Sequence, residues 1–438
     1  MLVVYIPNNN LPEREYVINT IFGEFLGLDF QIRKANIAST KLSFNNKIIE
    51  IVDSLWKGKE DMDYLRLDNI PSVKYVTNKF AVEKDIPVLY GDGNIDESED
   101  SIYCGIDIFA SIFFMLTRWE ESVVSKLDEH ERFIGKESVA YKAGFLNRPI
   151  VNEYIELLWN MMVALGYEDN RCDRTFKLVL THDIDFPFMR YRFLRISKYI
   201  ANCLMRFHLN DALSYFPFYL QDPYDTYDFF MDVSEMADTE SHFYFMSDGP
   251  DKRLINYSTG EKKRFRSIVD NITKRGHEVG FHPGYASFFN NITWRKEKEE
   301  LESVINTKVL EGRQHYLRFK MPETFVLWEE NRMEYDSTLS YFDVEGFRCG
   351  TGDSFPVFNF IERKTYKLKE RPLIVMDATL VSYRDYTIEK IRNVLENYLV
   401  LGKKYRMQIT FLFHNSSFMG KKGCALKKIY RKVLLGSE

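Results

Sequence analysis

From residue 177 onwards, short apolar runs rich in β-branched and aromatic residues alternate with charged stretches of helical length. The series reads KLVLTHDID (177–185), SHFYFM (241–246), KKRFRSIVDNITKRG (262–276), HEVGFH (277–282), TWRKEKEELESVINT (293–307), LIVMDAT (373–379), TIEKIRNVLENYLVLGKK (387–404) and MQITFLFH (407–414). Strands joined through helices pair in parallel, and a parallel sheet must be covered by those helices on its faces. This order predicts an α/β fold, either an open doubly wound sheet or a barrel.

In such folds functional groups gather where the carboxyl ends of the strands meet the following loops. Three predicted strands finish in ionisable clusters: THDID (181–185), GFHP (280–283) and LFHNSS (412–417). A fourth segment, EGRQHYLRF (311–319), puts Arg313 and His315 in a comparable place if a strand starts at Val309 and Leu310. Of the chain's eight histidines, His182, His277, His282, His315 and His414 lie on these four strands or at their ends, a clustering that favours one shared site. Carboxylate and imidazole without thiolate suit a zinc-like divalent ion with an open position for water, and amide or ester hydrolysis then becomes accessible. In Asp-x-Asp one carboxylate can bind metal while the other deprotonates water. The plainer reading of Asp183 and Asp185 is a pair of caps for the next helix. His182 alternates away from Asp183 by the strand period and reads as packing, and His277, at the opposite end of its strand from His282, reads as structural.

A length of 438 residues exceeds what one core usually organises, so two domains are expected. Residues 1–165 mix probable strands (LVVYIP, KIIEIV, IPVLYG) with helical patterns, as a smaller α/β domain would. GIDIFASIFFMLTRWEES reads as a helix buried at its start and exposed at its charged end, placed to dock the two domains. The polar stretch GYEDNRCDRT (166–175) marks the boundary, and residues 175–438 form the second domain. With a net charge of −5 and no basic face, nucleic acid is a poor partner. The amino terminus reads as a first strand instead of a secretory signal, and no apolar run approaches the ~20 residues of a membrane span. Five cysteines without a CxxC pair argue against a disulfide framework and fit a reducing cytoplasm.

The order and spacing of THDID, GHEVGFHP and LFHNS resemble the polysaccharide deacetylases, carbohydrate esterase family four, and more closely a bacterial branch with a THDVD-type first motif and an extra N-terminal domain. The resemblance covers residues 175–438. It implies a distorted (β/α) barrel of about seven parallel strands preceded by a smaller α/β domain, and a metal-dependent hydrolase, with zinc as cofactor, that removes an acetyl group from an N-acetylated carbohydrate. Asp183 then matches the catalytic base, Asp185 a metal ligand and His282 the first of two ligand histidines; the position of the second holds Ala286. RQH (313–315) takes the place of the third motif, which gives Arg313 the steadying of the base and makes His315 the candidate replacement ligand. His414 matches the general acid and Asp377 the carboxylate that orients it. YDST (335–338) resembles a segment near the site, with Asp336 more simply a turn cap, and Arg348 in GFRCGTGDSF either binds an anionic group of the substrate or sits on a solvent loop. Two alternatives stay open: hydrolysis of another non-peptide C–N bond by an allantoinase-like relative, which Ala286 supports, and a catalytically inactive carbohydrate-binding barrel.

Overall fold

The structure, a computed structural model, describes residues 1–189, 191–247 and 257–436. Its strands are β1 (Leu2–Ile6), β2 (Phe30–Lys34), β3 (Ser39–Phe44), β4 (Lys47–Val52), β5 (Lys74–Val76), β6 (Ile86–Val88), β7 (Gly91–Glu97), β8 (Ser101–Ile106) and β9 (Lys177–Ile184). They continue with β10 (Ser241–Phe245), β11 (Glu278–Phe281), β12 (Glu311–Gly312), β13 (Tyr335–Asp336), β14 (Phe355–Asn359), β15 (Lys364–Glu370), β16 (Val375–Met376) and β17 (Gln408–Leu412). A mixed sheet in the order β2-β1-β3-β4-β8-β7 builds the first part of the chain, with β5 and β6 as a separate antiparallel pair.

The second sheet has nine strands in the order β14-β15-β13-β12-β11-β10-β9-β17-β16. Every pairing from β15 to β16 is parallel and only β14 runs against its neighbour, which makes eight parallel strands where the sequence suggested about seven. The parallel strands absent from the sequence series are β13, whose two residues are too short to leave a periodic pattern, and β15. β15 and β16 stand at opposite sides of this parallel array, yet only residues 371–374 separate them. Five Cα steps reach at most ~18 Å. Eight flat strands would hold the outer two ~34 Å apart, so the sheet curls until its sides approach. Leu373 N–H donates to Leu339 O and Ile374 N–H to Thr410 O, hydrogen bonds that reach towards both sides within two residues.

The expected strand KLVLTHDID forms β9, whose last six residues are buried, as the apolar run requires of a strand covered on both faces. LIVMDAT contributes only Val375 and Met376 to the sheet before the chain turns into a short helix over Thr379–Tyr383. Gly312 lets β12 close on β11, because a Cβ there would lie 1.9 Å from Phe281 O. That approach draws the ends of these two strands together.

One continuous apolar core joins the two sheets, from Leu2 and Val4 to Phe411 and Tyr430. The helix Ile108–Thr117 is buried along its whole length. Its charged end is buried too, contrary to the sequence expectation: Arg118, Glu120 and Glu121 are almost without solvent exposure. Arg118 pairs with Glu120 at 2.7 Å and Glu121 at 3.0 Å and donates to the Tyr341 hydroxyl at 3.0 Å, while Arg348 pairs with Glu121 at 2.5 Å. Arg348 is thus neither a substrate contact nor a solvent-loop residue but part of a buried ion network between the helix and the second sheet's loops. Asp336 ends β13 fully buried, and burial pushes its carboxyl up to about 7.

Removing one partner of a buried pair leaves the other charge uncompensated, at a cost of about 3–5 kcal/mol. Glu121→Ala should lower the unfolding free energy by that amount in a denaturant titration. An exposed helix end would instead leave it within about 0.5 kcal/mol.

Candidate active site

The carboxyl ends of β9, β11, β12, β16 and β17 meet at one edge of the curled sheet. Asp183 and Asp185 sit two residues apart at the end of β9, so the strand period turns both to the same side and His182 to the other. His182 packs against the Phe230 ring at 3.7 Å, donates from Nδ1 to Phe413 O at 2.9 Å, and is pushed down to about 3 by burial, a neutral core residue. His277 lies at the far end of β11, where its Nδ1 accepts from the Ser241 N–H at 2.9 Å. Both stand outside the site, as their strand positions indicated.

Arg313 follows β12 and is fully buried. Its guanidinium donates to Asp183 Oδ1 at 2.7 Å, Thr181 Oγ1 at 2.9 Å, Ser337 Oγ at 2.9 Å and Ser337 O at 2.7 Å. Asp183 is thereby fixed through Oδ1, with Oδ2 left 3.9 Å from His282 Nε2. The carbonyl of the same arginine accepts from His282 Nδ1–H at 2.7 Å, which sets the tautomer and aims the Nε2 lone pair at the carboxylates.

His282 Nε2 lies 3.3 Å and His315 Nε2 3.6 Å from Asp185 Oδ1. Each of the three residues offers an atom within 4.8 Å of the other two. Asp185 Oδ1, His282 Nε2 and His315 Nδ1 are buried and have no hydrogen-bond partner within the protein, a costly state unless something else meets them. Two ligands bonded at ~2.0–2.1 Å to a tetrahedral ion stand ~3.3 Å apart, close to the separations found here. Burial by itself raises the Asp185 carboxyl, but the imidazoles of His282, His315 and His414 outweigh it and hold the group far below the usual carboxylate range. Burial pushes His315 down to about 4 against the pull of Asp185, so its ring is neutral at pH 7. An ionised carboxylate beside neutral imidazole is the donor set that a zinc-like dication requires, and the residues present fit that ion. Ala286 is exposed on the short helix Tyr285–Ser287, and the imidazole grouped with Asp185 and His282 is that of His315. Immediately after it, Tyr316 and Leu317 adopt positive φ of 62° and 54°, a bend unfavourable for non-glycine residues and of the kind found where a structure forces a side chain into a site.

His414 follows β17 on the other side of the cavity. Its Nδ1–H donates to Asp377 Oδ1 at 2.7 Å and its backbone N–H to Asp377 Oδ2 at 2.8 Å, while the Ser417 hydroxyl holds the same carboxylate. Burial lowers this imidazole, yet the charge and hydrogen bond of Asp377 prevail and lift it to about 10. Asp183, Asp185, His282, His315 and His414 all line one cavity of about 310 Å³, with Arg313 and Asp377 behind them.

Among the cavity-wall residues that the sequence reading missed are Arg132, Tyr316 and Tyr383. Arg132 comes from the first part of the chain, sits 3.6 Å over the Phe342 ring, pairs with Asp128 at 2.6 Å and donates to Tyr316 O at 3.1 Å and the Tyr383 hydroxyl at 3.3 Å. Its segment KLDEHERF is a mixed charge run of the kind that forms solvated surface, and no local pattern singles out one arginine in it.

Residues 2–166 match the model of a family of unknown function, DUF7033. None of the curated proteins matches the chain. Among solved structures, a Mycobacterium smegmatis protein assigned as a polysaccharide deacetylase is 16% identical with a TM-score of 0.38, over 60% of this chain and 85% of that one. A family 4 carbohydrate esterase from Streptomyces lividans is 7% identical with a TM-score of 0.28, over 60% and 90%. A pseudoenzyme of the same family from Bacillus anthracis is 11% identical with a TM-score of 0.29, over 64% and 76%. Superpositions this loose assign no residue a role, and the site stands on its own geometry.

Zinc titrated into the metal-stripped protein should bind with one-to-one stoichiometry. Asp185→Ala and His315→Ala should each weaken it in a chelator competition by more than the roughly 10–100-fold lost with an outer partner. Unchanged affinity in His315→Ala would remove that residue from the ligand set.

Proposed function

We propose that the chain is a metal-dependent hydrolase that removes the acetyl group of an N-acetylated carbohydrate. In this reading residues 175–438 form a distorted (β/α) barrel of the polysaccharide deacetylase type, close to the bacterial THDVD-motif branch, and residues 1–165 a smaller α/β domain. The observation that carries it is the convergence on one cavity of a three-residue ligand set with two separately anchored proton carriers, Asp183 and His414.

Asp185, His282 and His315 would hold a zinc ion, which would supply Lewis acidity towards a carbonyl oxygen and make water a nucleophile near neutral pH. Asp183 is the base: Arg313 occupies Oδ1, so Oδ2 takes the proton of the attacking water. His414 is the acid. Asp377 engages Nδ1 and keeps the ring charged, which leaves Nε2–H to protonate the departing amine. Tyr316 and Tyr383 beside the cavity offer ring faces suited to a sugar, and Arg132 adds donors for its hydroxyls. The five cysteines are free thiols, in keeping with a cytoplasmic protein that meets a polysaccharide precursor. Ala286 is the feature that favours another C–N bond, but with His315 beside Asp185 a third ligand is supplied without a histidine at 286.

Acetate release from N-acetylated oligosaccharides and nucleotide sugars should be abolished by chelator and restored by zinc. His414→Ala should lower kcat by about 10²–10⁴-fold, the usual contribution of a general acid. Glycan binding without acetate release, in zinc-loaded protein, would point to the inactive carbohydrate-binding reading.

The pH profile supplies a second test. A charged His414 is the active form and Asp377 is what raises its pKa, so Asp377→Asn should move the alkaline limb of kcat to lower pH. A limb that stays in place would remove His414 as the titrating acid.

A further inference from the structure

Between β9 and β10 the chain leaves the sheet and folds into a helical hairpin, Arg192–Met205 followed by Leu209–Leu213, closed by a small cluster of Met189, Ile196, Ile200, Ala212 and Tyr224. The outer side of this hairpin is apolar and uncovered. Within it Phe207 is 95% exposed, Leu194 73% and Met205 71%. Such side chains facing water together, unlike scattered single ones, mark a surface that meets something else.

The charge beside that surface indicates what it meets. Residues 191–220 carry four cations, Arg192, Arg195, Lys198 and Arg206, against the single carboxylate of Asp211, in a chain whose net charge is −5. At 100° per residue, Leu194, Ala201 and Met205 fall within roughly 40° of one another on the helix, with Lys198 and Arg195 along one flank. Apolar face and basic flank side by side is the arrangement of a helix that lies in the headgroup layer of a membrane. No described helix is long and apolar enough to cross one.

We infer that this hairpin docks the protein onto an anionic phospholipid surface, its apolar face entering the headgroup boundary and its cations facing lipid phosphates. The segments flanking the hairpin are tied to the loop that follows His414, where Asn415 Nδ2 donates to Phe186 O at 2.9 Å and Tyr224 O at 3.0 Å. The docking face therefore emerges at the same edge of the sheet as the cavity. The inference does not depend on the reaction proposed above.

Vesicle co-sedimentation of the full chain tests it, with phosphatidylcholine alone and phosphatidylcholine mixed with phosphatidylglycerol. The protein should pellet with the mixed vesicles and lose most of that binding at high salt. Leu194→Ser and Phe207→Ser combined should weaken it by at least about tenfold, given the apolar area withdrawn from the lipid. Lys198→Gln and Arg206→Gln should each weaken it by about fivefold on mixed vesicles only. All four residues are exposed, so circular dichroism of the variants should match the parent. Absence of wild-type binding to mixed vesicles would overturn the inference. So would a lipid-free dimer in light scattering that dissociates in the Leu194→Ser, Phe207→Ser variant, since the face would then belong to a second copy.

Discussion

The buried guanidinium of Arg313 ties the site together. It receives no water, so its donors must be met by protein, and they are met by groups from β9 and from the segment after β13. Its own carbonyl takes the His282 N–H, which couples the rotamer of a strand-end arginine to the tautomer of a neighbouring imidazole. One residue thus fixes Asp183, orients His282 and holds three strand ends in register. In a low-dielectric interior such a network is rigid because each member would be costly to strand unpaired.

Around it the cavity divides into two electrostatic halves. On one side Asp185, held ionised, faces a neutral His315; on the other Asp377 keeps His414 protonated. Two imidazoles in one small cavity are thereby pushed in opposite directions, His315 down and His414 up. The difference follows from placement: burial dominates at His315, whose carboxylate at 3.6 Å also faces His282, whereas Asp377 hydrogen-bonds the His414 ring at 2.7 Å. Environments that push paired titratable groups apart let one cavity hold a neutral and a charged imidazole together.

Much of this was legible in the sequence where local pattern and position coincide. The apolar run of β9 ending in THDID announced both a buried strand and two carboxylates on one side of it. Pro283 after His282 and the abrupt polar end of β17 before Asn415 marked further strand ends. His315 was reached through its order in the chain, since β12 is only two residues long. Arg132, Tyr316 and Tyr383 were not legible, because they reach the cavity through tertiary packing and sit in segments with no period. The end of the helix Ile108–Thr117 was misread because charges in a row look solvated, and Arg348 because a glycine-punctuated loop does; only their mutual pairing at 2.5–3.0 Å allows these charges to be buried.

Anomalous diffraction at the zinc edge from crystals grown with zinc tests the central claim directly. The account predicts one strong peak at ~2.0–2.2 Å from an Asp185 carboxylate oxygen and from a ring nitrogen of both His282 and His315. A peak coordinated by other residues, or none in the cavity while Arg313 still holds Asp183, would contradict it.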